Sequence, residues 1–98
     1  SDFFLANNWN VCTGALLVHL LCNLPEIDLS PGDLTVISGD THLYINHLEQ
    51  VEENLKRRPR PYPKLLVKSK KNIEDYEFED LTLLGYQPYP NIKADMAV

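Results

Sequence analysis

Between Asp33 and His47 the chain changes character twice, and few folds accommodate both changes. Asp33-Leu34-Thr35-Val36-Ile37 is β-branched and apolar, the composition of a buried strand. Gly39 reads as a point where the backbone passes a close neighbour without a Cβ clash. Asp40, Thr41, His42 and Tyr44 follow, four polar side chains carried out of that strand. Asn46 with Glu49 three residues on has the spacing of a capping box, so a helix is expected to start there. Side chains alternate along a strand, which puts His42 and Tyr44 on one face. An imidazole beside a phenol suits a ligand hydroxyl. The same pair also serves as a polar strand end with its hydrogen bonds satisfied, and pattern alone leaves both readings open.

The remaining segments supply a mixed setting for this stretch. Asp2 to Leu5 reads as a strand end or turn, and Asn7-Asn8-Trp9-Asn10 as a turn. Val11 to Leu24 is apolar nearly all round, the pattern of a helix central to a core, with Val11, Ala15, Leu16, Leu20 and Leu24 buried. Pro25 through Gly32 connects it to the strand. The helix from Asn46 to about Arg57 is amphipathic, with Leu48, Val51 and Leu55 as its buried stripe. Pro59, Pro61 and Pro63 forbid a helix after it. Lys64 to Lys68 and Leu81 to Leu84 read as strands, and the chain from Gly85 onward as irregular. The expectation is one α/β (α+β) domain with a mixed sheet, a buried central helix and a second amphipathic helix.

Composition closes off several functions. Ninety-eight residues allow one domain, and 44% hydrophobic with 9% aromatic residues argues against disorder. No apolar run reaches the roughly 18–20 residues of a membrane span, and Ser1-Asp2-Phe3-Phe4-Leu5 lacks the basic region of a signal peptide. Cys12 and Cys22, ten residues apart on one helix, would stand ~15 Å apart along its axis, too far for a disulfide. They read as small core residues of a reducing, cytoplasmic compartment. His19 reads as a core or interface histidine. His19, His42 and His47 with the two cysteines lack the short spacings of a zinc site, so no metal is expected. There is no phosphate-cradling glycine loop and no nucleophile elbow. Net charge is −5, yet eight of nine Lys and Arg residues lie between Lys56 and Lys71. Such a stripe can attract nucleic acid, but acids flank it on both sides, and it reads as solvated surface rather than a nucleic-acid site.

Taken together, Gly39-Asp40-Thr41-His42-Leu43-Tyr44 with Asn46-His47, Arg60-Pro61-Tyr62-Pro63-Lys64-Leu65, Tyr76-Glu77-Phe78-Glu79-Asp80, Gly85-Tyr86, Pro88-Tyr89-Pro90, Ile92-Lys93 and Met96-Ala97-Val98 form an ordered set. In order and spacing, this set resembles the C-terminal portion of thymidylate synthase over almost the whole chain. The resemblance implies reductive methylation of dUMP to dTMP, with 5,10-methylenetetrahydrofolate as co-substrate and no metal. It implies that Asn10 faces the uracil, where a carboxamide accepts from N3–H and donates to O4. It assigns His42 and Tyr44 to the deoxyribose 3′-hydroxyl. It gives Asp2 to the pterin ring of the folate, and Leu5, Ala6 and Trp9 to the folate wall. Ala97 and Val98, with Met96, would belong to a terminal segment that closes over the cofactor, and Lys93 could meet the folate's glutamate tail. A homodimer is implied as well.

The departures are specific. Ala6 stands where the family usually has Gly, and Asn8-Trp9 replaces a usual Pro-Phe. The connection Asn23 to Pro31 is about two residues longer than common. The family's nucleophile, in a Pro-Cys-His stretch, and its phosphate-binding residues precede the position of Asp2, and Ser1 does not inherit the phosphate role. The expectation is therefore the C-terminal part, residues 1–98, of a single catalytic domain, inactive alone. A reductase domain fused upstream, as in bifunctional dihydrofolate reductase–thymidylate synthases, is left open. Two alternatives stand beside this: a deoxycytidylate hydroxymethylase, which would carry an acid at position 10, and a non-catalytic nucleotide-binding or dimerisation fragment.

Overall fold

A run of sixteen residues without proline folds as helix α1 (Asn7–Cys22) in the computed structural model, which describes residues 1–96. α1 stops at Asn23, two residues short of Pro25, which cannot continue it. A single 3₁₀ turn over Ile45–His47 leads into helix α2 (Leu48–Lys56). Arg57 then leaves the helical region, and the alternating prolines keep the chain irregular up to strand β1 (Lys64–Val67). β1 pairs antiparallel with strand β2 (Leu81–Leu84) in the register Lys64↔Leu84 to Val67↔Leu81. Gly85 ends β2 at φ +70°, a left-handed conformation that disfavours any side chain.

The connection between the strands is two consecutive 3₁₀ turns, Ile73–Asp75 and Phe78–Asp80. Each is latched by the carboxylate at its end. The Asn72 N–H donates to Asp75 Oδ2 at 3.2 Å, and the Glu77 N–H to Asp80 Oδ2 at 2.9 Å. Asp80 is 6% exposed and also receives Lys70 Nζ at 3.2 Å, while its carbonyl accepts the Lys68 N–H and prolongs the ladder. The Glu77 backbone bond holds its carboxyl below the usual carboxylate range; Lys70 adds to this and burial partly opposes it. A carboxyl lowered in the folded state stabilises above its unfolded value, about 3.9, and that stabilisation is lost as pH falls through the folded value. Melting temperatures of the protein between pH 6 and pH 3 should therefore show wild type losing its advantage over Asp80→Asn below about pH 4. An advantage that persists unchanged to pH 3 would contradict this.

Two sets of contacts tie distant segments together. Ser69 Oγ donates to the Asn23 carbonyl at 2.8 Å, and the Tyr76 hydroxyl to the Leu20 carbonyl at 3.3 Å, docking the strand connection on the end of α1. The tail after β2 lies along α2 and the residues following it. Arg57 donates to the Pro90 carbonyl, Arg60 to those of Gln87 and Pro88, and the Tyr89 hydroxyl to that of Arg58. The Arg60 guanidinium also sits 3.8 Å from the Tyr89 ring centroid.

Several expectations are overturned. The segment Asp33–Ile37 forms no strand: no described segment offers it a ladder, and Ile37 is 90% exposed. Leu34 lies where a Cβ on Gly14 of α1 would meet it at 3.3 Å. Gly39 has open space around it, so no close approach explains it. Asn7 to Asn10 are the first turns of α1 rather than a separate turn. α1 is not a buried central helix. None of its residues is buried, Cys12 is exposed and Cys22 intermediate, so neither cysteine is a core residue. His47, not Asn46, caps α2, with no side-chain capping bond. The α2 stripe is largely open, Leu48 at 48% and Leu55 at 77% exposure. The sheet is an antiparallel pair rather than mixed. The open Asp33–Ile37 segment, the exposed α1 and the exposed α2 stripe go together: among the described residues no apolar side chain is buried, and the radius of gyration is 16.4 Å against about 13 Å for a compact domain of this length. The apolar faces are present, but nothing described here covers them.

Candidate functional site

The site begins where two distant segments meet. His42 N–H donates to the Ser1 carbonyl and Phe3 N–H to the His42 carbonyl, both at 3.0 Å, a parallel bridge that sets Asp2 beside His42. Asp2 then organises the entry to α1. Its Oδ1 accepts the Leu5 N–H at 3.2 Å, and its carbonyl accepts the N–H groups of Ala6 and Asn7. The Leu5 bond engages only Oδ1, and the carboxylate has further acceptor capacity. Ala6 sits at the N-terminal cap of α1 with φ −103°, a conformation open to any residue, so its methyl group causes no backbone strain.

Across the bridge, His42 and Tyr44 pack edge to face with ring centroids 4.8 Å apart, although they lie in extended chain and not in the strand expected there. Both keep part of their surface open, and the His42 Nδ1 lies 3.7 Å from the exposed Asp40 carboxylate. On the other side of the entry turn, Leu5 and Trp9 line an open cleft of about 600 Å³ with Phe4, Arg57, Tyr86 and Ile92. Trp9 is 75% exposed. Asn10, His42 and Tyr44 are not among the described residues lining that cleft. Asn10 is exposed on the first turns of α1, its backbone N–H held by the Ala6 carbonyl at 3.2 Å. Ala97 and Val98 lie outside the described residues. No group of three or more potential metal-ligating side chains gathers among the described residues.

Chemically, the arrangement has an amphipathic edge and an apolar one. The edge with His42 and Tyr44 can donate to and accept from a small hydroxyl. The cleft with Leu5 and Trp9 offers apolar and aromatic surface beside Arg57, and the Asp2 carboxylate next to His42 keeps free acceptor capacity.

Two features escaped the sequence reading. His47 is the one fully buried side chain among the described residues, and Arg57 and Arg60 are committed to tail carbonyls rather than lying as free solvated charge. Composition could not show either, because both depend on the tail folding back over 27 to 48 residues. The proline-rich stretch beside Arg60 forms a second cleft, of about 410 Å³. Its arginines largely hold the tail. Among the described residues no helix is long and apolar enough to cross a membrane. Compared with known families, the chain is matched by the thymidylate synthase family model over residues 1–98.

Proposed function

The chain belongs to the thymidylate synthase family, and on that premise we propose that it carries the uracil-, deoxyribose- and folate-facing part of an enzyme that methylates dUMP to dTMP in the cytoplasm. Residues 1–98 are the C-terminal part of the catalytic domain in this reading, with the nucleophilic cysteine supplied upstream and the active form a homodimer. The observation that carries it is the Asp2–His42 bridge, which brings the proposed pterin-binding acid beside the proposed 3′-hydroxyl pair.

Each residue then has a physical task. Asn10 accepts from N3–H of uracil and donates to O4, and a cytosine would meet it with donor and acceptor reversed. His42 and Tyr44 hold the 3′-hydroxyl and so fix the sugar's orientation toward the reacting ring carbon. Asp2 accepts ring N–H groups of the folate, and Leu5, Ala6 and Trp9 supply apolar contact that keeps water from that ring. When bound, 5,10-methylenetetrahydrofolate supplies the one-carbon unit and the hydride. The resemblance also assigns Ala97 and Val98, which lie outside the described residues, to the folate.

The test uses the intact enzyme with dUMP and its 3′-deoxy analogue. Tyr44→Phe and His42→Ala should each weaken dUMP binding about 3–10-fold, the worth of one hydrogen bond. Neither should weaken binding of the 3′-deoxy analogue further. Equal losses for both nucleotides would take the 3′-hydroxyl away from this pair. Turnover of dCMP in preference to dUMP would favour the hydroxymethylase instead, and binding of both ligands without turnover in the intact protein would favour a non-catalytic module.

A further inference from the structure

Three guanidiniums and three phenol rings line the cleft of about 410 Å³ beside the proline-rich stretch: Arg57, Arg58 and Arg60 with Tyr62, Tyr86 and Tyr89. No Asp or Glu lines it, in a chain whose net charge is −5. Two of the arginines are already fixed in place. Arg60 Nη1 donates to the Gln87 and Pro88 carbonyls at 2.9 and 3.1 Å, and its guanidinium carbon sits 3.8 Å from the Tyr89 ring centroid. Arg57 Nη1 donates to the Pro90 carbonyl at 2.6 Å, with its guanidinium carbon 5.4 Å from the same ring. The Tyr89 hydroxyl is held in turn by the Arg58 carbonyl at 2.8 Å. A carbonyl orients a guanidinium without cancelling its charge. Glu53 reaches Arg57 Nε at 3.8 Å, but neither Arg58 nor Arg60 meets a carboxylate among the described residues. The Arg58 side chain is exposed and has no hydrogen-bond partner among them.

Guanidiniums that are oriented in advance and still carry uncancelled charge suit an oxyanion, because each keeps N–H donors in the fork that fits phosphate oxygens. Little ordering is then left to the moment of binding. Three such charges in one cleft match consecutive phosphates better than a single one. The rings add a second requirement. Tyr62 is 96% exposed and stands between Pro61 and Pro63, where the following proline keeps its backbone extended. A ring presented in this way can stack on a flat base of any identity. We propose that this cleft binds a nucleoside polyphosphate, with Arg58 and Arg60 on the phosphates and Tyr62 stacked on the base. Its volume falls within the range of small-molecule sites and suits one nucleotide rather than a length of chain. Arg57 and Tyr86 also line the cleft of Leu5 and Trp9, so a chain of carboxylates is the competing occupant. Such a chain would use the arginines but leave the Tyr62 ring without a task.

Calorimetric titration of the intact protein with ATP and with inorganic triphosphate tests this, each with saturating dUMP present so that the proposed dUMP site is filled. ATP should bind with a Kd on the order of 100 μM, and added salt should weaken both ligands by screening. Arg58→Ala should weaken ATP and triphosphate alike, about 5–10-fold, through loss of a charge-assisted contact. Tyr62→Ala should weaken ATP about fivefold, the worth of one stacked base, and leave triphosphate within about twofold of wild type. Both side chains are exposed, and dUMP should bind each variant as it binds wild type. Should Arg58→Ala not fold, Tyr62→Ala carries the test. The proposal is overturned if ATP fails to bind at about 1 mM, or if dUMP displaces it. It is equally overturned if Tyr62→Ala weakens ATP and triphosphate by the same factor, or leaves both unchanged. Oligoglutamate that binds as tightly as ATP and loses affinity in Arg58→Ala would make this a carboxylate site instead. A single-stranded oligonucleotide that binds far more tightly than ATP, with the same dependence on Arg58 and Tyr62, would make it a nucleic-acid surface. Because dUMP binding is measured alongside, failure here leaves the nucleotide and folate assignments above standing.

Discussion

Asn10→Asp in the intact enzyme is expected to lower kcat/KM for dUMP by on the order of 10³ and to raise that for dCMP, shifting the preference between them by more than either change alone. The reasoning is a count of donors and acceptors. The Asn carboxamide presents one oxygen and one NH₂, which match uracil N3–H and O4 in one planar contact. An ionised Asp presents two acceptors, so N3–H stays paired while O4 faces negative charge in a site closed to water. A protonated Asp presents a donor to cytosine N3 and an acceptor to its amino group. Leaving one buried polar group unpaired costs roughly 1–3 kcal/mol, more where a charge is involved, and 10³ corresponds to about 4 kcal/mol. The proposed role needs the Asn10 side chain to be accessible. It is exposed early in α1, where helical hydrogen bonding fixes its backbone while its side chain remains open. Steady-state kinetics with both nucleotides, alongside binding of each alone, make the check. Unchanged dUMP kinetics in Asn10→Asp would remove Asn10 from the base-reading role and return the question of specificity to other residues.

The parts of the molecule that could be read from sequence are those whose causes are local. α1 and α2 follow from runs without proline, β1 and β2 from short apolar segments between turns, and the break after Arg57 from three alternating prolines. The His42 and Tyr44 rings do meet, but in extended chain with one isolated bridge at His42 rather than in the expected strand. What could not be read depends on partners remote in sequence. Asp33–Ile37 has the composition of a buried strand, but composition does not supply a ladder, and without one the segment stays open. Asn46 and Glu49 have capping-box spacing, yet the 3₁₀ turn at Ile45–His47 moves the helix start beyond Asn46. The latches at Asp75 and Asp80 are local, but two acids in an acidic stretch look like solvated charge until their backbone donors are seen. His47 is the sharpest case: its burial comes from Phe4, Tyr44 and Asp95, two of them more than forty residues away.

Expressed alone, residues 1–98 are expected to show no cooperative thermal unfolding and to self-associate at micromolar concentration. Fixing a residue's backbone costs roughly 1–2 kcal/mol, while fully burying a Leu, Ile, Phe or Met side chain returns roughly 1.5–3 kcal/mol. A domain is stable only when enough such side chains are fully covered, and none of the described ones is. Ile37 at 90%, Trp9 at 75% and Met96 at 77% exposure are far from that condition. The β1–β2 pair offers little alone, since two-stranded sheets are marginal in water. A helix apolar nearly all round, such as α1, is suited to being covered on most sides, and the described residues leave it open. Circular dichroism melting and sedimentation velocity on the isolated chain, beside the intact enzyme, test this. A sharp melting transition with a monomeric sedimentation coefficient would mean that the chain closes its own core by a rearrangement of Asp33–Ile37 and α1. A broad, sloping melt with aggregated or dye-binding material would mean that these faces gain their stability only in the assembled enzyme. In that case single charges placed on them, such as Leu34→Glu, should unfold the intact protein rather than merely weaken its ligand binding.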